Sequence, residues 1–236
     1  LALNDGHELV RLKPASSWGH RIQGQAFLAT EHYDKAISAL SEAIRLDPAR
    51  LYNRRLQAEA YVALGQYDKA LANYDEAIRL KPDDLNLYLT RAETFLALGR
   101  IDEALADCDK YVELNPDYAA AALNRAQLLV LAGRTEGYRL ACREMLDRFG
   151  GSERDVPICC TVRACTLAPA AVSNPMMLVA LAEKADSRNS RPFTLITLGM
   201  AHLRAEQFEQ AADSFQKSLD MEPNRKTRFV DHLGLA

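Results

Sequence analysis

The sequence predicts an all-α fold, a solenoid of stacked antiparallel helical hairpins, on three observations. Pro14, Pro48, Pro82 and Pro116 recur every 34 residues, in the contexts RLKP, RLDP, RLKP and ELNP. The stretch AIRLDP at 43–48 returns as AIRLKP at 77–82. Between prolines, apolar residues follow helical spacing in two segments. A fixed period of this length marks a chain of repeated supersecondary units. One hairpin cannot bury its apolar face alone, but a stack can.

The elements follow in order. Residues 1–16, with HELVRLKP at 7–14, read as the end of a truncated preceding repeat. The first full repeat runs through WGHRIQGQAFLATEHYDKAISALSEAIRLDP, with Glu31 where later repeats carry a turn glycine. In the second, LYNRRLQAEAYVAL precedes Gly65, which suits the left-handed conformation that ends helices. Asp68 then sits near the start of YDKALANYDEAIRL, where the helix dipole favours a carboxylate. The third repeat follows the same plan with LYLTRAETFLALG and RIDEALADCDKYVELNP. Small residues keep a fixed phase: Gly24, Ala58, Ala92 and Ala126 in first helices, Ala36, Ala70 and Ala104 in second ones. Small side chains let paired helices approach closely while larger neighbours such as Phe27, Tyr61 and Phe95 fill the grooves.

Residues 17–118 are therefore expected to hold three regular repeats within a single solenoid spanning 1–236. Residues 119–190 read as two degenerate repeats. There Tyr138 replaces an expected alanine, Gly150 replaces a proline, and a helix is expected from Asn174 and Pro175, a good cap and first-turn pair. Irregularity is expected over 150–175. Residues 191–224 restore the pattern, with Leu198, Gly199, Phe208, Ala211, Phe215 and Pro223 in phase, and 225–236 read as a truncated or capping helix.

Composition narrows the function. Lys and Arg (29) are outnumbered by Asp and Glu (32), giving a net charge of −3. Nucleic acid is not an expected partner, since its binding draws on phosphate neutralisation. No apolar run approaches the roughly 18 residues a bilayer requires, so no membrane insertion is expected. LALNDGHELV lacks the basic start and apolar stretch of a secretory signal. The expected compartment is the cytoplasm, and the chain reads as a piece of a longer protein. Cys108, Cys142, Cys159, Cys160 and Cys165 form no CxxC pair, and the five histidines are dispersed, so no metal or cofactor is expected. Asp83 with Asp84, and Asp107 with Asp109, read as solvated or capping groups rather than a general acid and base. No nucleophile elbow, phosphate loop or dinucleotide glycine pattern appears, and no catalysis is expected.

The recurring order of small, aromatic, small, large, small and proline resembles the tetratricopeptide repeat family. That resemblance implies a right-handed superhelix whose first helices line a concave groove for a protein or peptide segment. It places Trp18, Arg21 and Gln25 inward in the first repeat, Tyr52, Arg55 and Glu59 in the second, and Asn86, Leu89 and Glu93 in the third. In the fourth it places Leu123, Asn124 and Gln127 there, and in the last an apolar wall including Phe193. Trp18 and Tyr52 beside Arg21 and Arg55 suit a binding hot spot, for a ligand with a carboxylate and an apolar anchor. The carboxylate-holding set of chaperone adaptors is broken here, reading Arg21, Gln25, Leu56 and Thr90. The asparagine ladder of O-linked N-acetylglucosamine transferases reads Ile22, Leu56, Thr90 and Asn124. A looser resemblance, to the repeat segment of bacterial multidomain proteins, implies an alternative: a structural spacer or homodimerising scaffold for catalytic domains such as kinases.

Overall fold

The computed structural model describes residues 2–169 and 171–221. The helix expected over 225–236, and Pro223, lie outside the described residues. Thirteen helices and no strand occur among the described residues: α1 (Ala2–Leu12), α2 (Ser17–Ala29), α3 (Tyr33–Leu46), α4 (Leu51–Ala63), α5 (Tyr67–Leu80), α6 (Leu85–Ala97), α7 (Ile101–Leu114), α8 (Ala119–Leu131), α9 (Thr135–Phe149), α10 (Asp155–Thr166), α11 (Met176–Arg188), α12 (Pro192–Arg204) and α13 (Phe208–Met221). They group into two compact units, Leu1–Leu114 and Asn115–Ala236.

In the first unit α2–α3, α4–α5 and α6–α7 are hairpins, and α1, α3 and α5 each pack on the next helix in sequence. The prolines act as the period suggested. Helices α3, α5 and α7 end two residues before Pro48, Pro82 and Pro116, where a proline to come already disfavours helical backbone. Inside each hairpin the first helix closes in a left-handed turn. Gly65 and Gly99 sit at φ +68° and +70°. The amide beyond each reaches back five residues, as from Gln66 to the Tyr61 carbonyl at 2.8 Å and from Arg100 to that of Phe95 at 2.9 Å. This is the Schellman arrangement, which satisfies carbonyls the helix end would otherwise orphan. Glu31 makes the same turn at φ +59° without glycine's freedom.

Burial follows the small residues. Ala36, Ala43, Ala58, Ala70, Ala77 and Ala104 are fully buried. Leu40 and Leu56 form one cluster with Ala36 and Ala60, and Tyr74 and Leu87 another with Ala58, Ala70 and Ala77. Each such leucine contributes about 1.5–3 kcal/mol by leaving water. Polar groups are buried as well. Asn53 is fully buried and its amide donates to the Ala43 carbonyl and to Ser17, both at 3.3 Å. Asp107 corrects the expectation of a solvated or capping carboxylate. It is only 3% exposed. Arg91 of α6 donates to both of its oxygens, with Nε to Oδ2 at 2.8 Å, and Nη1 reaches Asp75 of α5. The inner face of α7 brings that carboxylate against α6, where only a guanidinium fork satisfies it. Asp84 does cap: it accepts from the Asn86 amide at 3.3 Å at the start of α6.

In the second unit the hairpins are α8–α9, α10–α11 and α12–α13, and α10 packs against α8, α9, α11 and α12. It is correspondingly wrapped, with Pro157 to Val162 and Ala164 to Thr166 all buried. Tyr138, the residue standing in for an alanine, is 1% exposed. Its hydroxyl donates to the Ala164 carbonyl at 2.9 Å and accepts from the Ala168 amide at 3.0 Å. One phenol thus ties α9 to the end of α10. The long connection 167–175 follows, and Asn174 accepts from the Met176 amide at 3.1 Å, so α11 starts two residues beyond that cap. At the close of α12, Glu206 adopts φ +60° without a glycine.

Candidate functional site

The side chains that converge outside the core lie on α2 and α4, first helices of successive repeats in the first unit. Helical spacing sets each on one face: Trp18, Arg21 and Gln25 on α2, and Tyr52, Arg55 and Glu59 on α4. Tyr52 is half-buried, packed on the Leu40 and Leu56 cluster, which fixes its ring. Two cations flank that ring, with the guanidinium carbons of Arg21 and Arg55 at 5.5 and 4.8 Å from its centroid. Both distances are within cation–π range.

Hydrogen bonds join the helices across the same spot. Arg21 Nη1 donates to Gln25 Oε1 at 2.9 Å, and Gln25 Nε2 donates to the Tyr52 hydroxyl at 3.0 Å. Arg55 pairs with Glu59 at 2.9 Å. Burial pushes the Glu59 carboxyl above its ordinary range, and Arg55 only partly offsets that. Burial also pushes the Tyr74 phenol up, with Thr90 and the charges of Glu59, Arg55 and Glu93 as lesser influences. Glu59 of α4 and Glu93 of α6 thus both act on this one phenol of α5.

The structure brings together Arg21, Gln25, Tyr52, Arg55 and Glu59. Trp18, 52% exposed, stands a turn before Arg21 without joining that network. Asn86 and Glu93 are exposed and Leu89 half-buried on α6. Asn124, half-buried, and Gln127, exposed, belong to α8 of the second unit, where Leu123 is buried rather than lining a surface. Phe193 of the apolar wall lies half-buried under the Arg163 guanidinium, 5.4 Å from its centroid.

Sequence reasoning missed a polar row. Gln57, Arg91 and Arg125 share one phase, 34 residues apart. Each reaches another helix of its own unit: Gln57 to Ser41 at 2.7 Å, Arg91 to Asp107, and Arg125 to Glu144 at 2.9 Å. The signal was a long polar side chain recurring among small buried ones.

The five cysteines are free and buried. Burial pushes the Cys108 and Cys159 thiols up to about 11, away from reactive thiolate. Among the described residues, no group of three or more His, Cys, Asp or Glu could hold a metal ion, and no helix is long and apolar enough to cross a membrane.

Comparison with known proteins agrees with this architecture. The tetratricopeptide repeat model matches residues 23–84, 55–119 and 89–153, and a second such model matches 194–225. Among solved structures, the chain is similar to a tetratricopeptide repeat protein from Parabacteroides merdae. The TM-score is 0.59 at 17% identity, covering 98% of this chain and 89% of that one. It is also similar to YrrB, described as a TPR protein with an unusual peptide-binding site. There the TM-score is 0.53 at 13% identity, covering 98% of each chain. No curated protein matches the sequence.

Proposed function

The chain belongs to the tetratricopeptide repeat family, and from that premise we propose that it is a non-catalytic module binding a peptide or protein segment on the face lined by α2, α4 and α6. The observation that carries this reading is the half-buried Tyr52 ring with Arg21 and Arg55 against it. Aromatic and arginine side chains fixed in place dominate binding hot spots, because little entropy is lost when a ligand arrives. Guanidinium donors beside a ring suit a segment with a carboxylate and an apolar or aromatic anchor. Exposed Trp18 and the Leu89 side of α6 offer places for that anchor. YrrB, similar in fold, carries a peptide-binding site. Five unpaired thiols suit a reducing compartment such as the cytoplasm.

The test is calorimetry of a peptide selected against the 236-residue chain. Arg21→Ala with Arg55→Ala should weaken binding by about 2 kcal/mol or more while leaving the melting temperature nearly unchanged. Unaltered affinity would place the binding site elsewhere.

A further inference from the structure

The charges along this face are not evenly paired. Among the described residues, Arg21 on α2 bonds to the neutral Gln25 and to no carboxylate. On α4, Arg55 and Glu59 neutralise one another at 2.9 Å. On α6, Glu93 is exposed and pairs with no cation among the described residues. Repeat phase puts Gln25, Glu59 and Glu93 in one row, 34 residues apart, and the charges of Glu59 and Glu93 both act on the Tyr74 phenol. The face therefore runs from a cation without a carboxylate partner, Arg21 on α2, through a neutral pair on α4, to the carboxylate of Glu93 on α6.

We propose that this face selects a segment carrying charges of both signs, its acidic residue seated by Arg21 and its basic residue by Glu93. The inference rests on the peptide-binding reading above and adds the charge pattern of the ligand. Arg21 is the primary anion contact, because an acid approaching Arg55 must displace Glu59 while one approaching Arg21 displaces only an amide. At the other end Glu93 repels a second acid and attracts a lysine or arginine. Polyacidic segments are thereby rejected, since specificity draws on repulsion of the wrong partner as well as attraction of the right one. Packed helices lie about 8–10 Å apart, so two steps span about 20 Å. An extended chain covers that in about six residues.

The experiment is selection of a random 16-residue peptide library displayed on phage against the 236-residue chain. It is repeated on Glu93→Lys, Arg21→Glu and Tyr52→Ala, each first confirmed folded by its helical circular dichroism. Selected peptides should carry an acid and a base at a recurring separation of about six residues. Glu93→Lys should weaken them at least about tenfold and select an acid in place of the base. Arg21→Glu should invert the other end. Peptides lost on Tyr52→Ala but indifferent to Glu93→Lys and Arg21→Glu would overturn the charge pattern and leave the binding face standing. No selected peptide, or peptides insensitive to all three changes, would overturn the binding reading as well.

Discussion

The side-chain amide of Gln25, on α2, donates to the phenol oxygen of Tyr52, on α4, at 3.0 Å. Two successive repeats are thus joined across α2 and α4 by groups that hold the ring between two guanidinium groups. Tyr52→Phe keeps the ring and removes the acceptor, so it should cost about 0.5–1.5 kcal/mol in urea unfolding. Tyr52→Ala also strips the packing on Leu40 and Leu56 and should cost more. Equal costs would show that the hydroxyl, not the ring, carries the contact.

Glu59 gives the fold a pH dependence of definite sign. Its folded pKa is raised by burial, so the folded state binds its proton more tightly than the unfolded chain does. That contribution is fully present below the unfolded value of about 4.3 and is lost as pH rises through the raised folded value. Glu59→Gln should therefore melt higher than the parent at pH 7, with the gap closing below about pH 4. A gap that widens on acidification would mean that pairing with Arg55 outweighs burial.

Breaking the buried fork between Arg91 and Asp107 should cost more than breaking an exposed pair. Asp107→Ala leaves a guanidinium in a largely enclosed site and should cost about 3 kcal/mol or more. Arg91→Met with Asp107→Leu should cost less than that single change, because no charge is stranded. Glu42→Ala, which breaks an exposed pair with Arg45 one turn away, should leave the denaturation midpoint nearly unchanged.

Much of this was legible in the sequence, and the exceptions have physical causes. Helices α2 to α7 fall where the proline period put them, because prolines, turn glycines and buried alanines all obey the same 34-residue constraint. The network of Arg21, Gln25, Tyr52, Arg55 and Glu59 was legible as a shared face, since helical spacing fixes which side chains meet. Its wiring was not, because spacing cannot say that Arg55 bonds Glu59 while Arg21 bonds an amide. Asp107 misled for a related reason: a carboxylate reads as solvated until its partner on another helix is seen. Tyr138 looked like a broken repeat position. Its compensation lies at Ala164 and Ala168, in a segment with no period to align it.

Glu31 is the one departure among the first three turns of the array, and it is strained. An L side chain at φ +59° costs about 1–2 kcal/mol, less the entropy glycine loses on folding. Glu31→Gly should stabilise by about 0.5–1 kcal/mol, and Gly65→Ala, in the same turn one repeat later, should destabilise by about as much. Thermal melts of both variants decide it, and a loss of stability in Glu31→Gly would contradict the turn geometry.

The proposed binding face is tested most directly by amide hydrogen exchange on the 236-residue chain, with and without a saturating peptide selected against it. Added protection should concentrate in 17–29, 51–63 and 85–97, the helices that carry Arg21, Tyr52 and Glu93. Protection confined to 155–204, or spread without preference, would contradict the assignment of the binding site to this face.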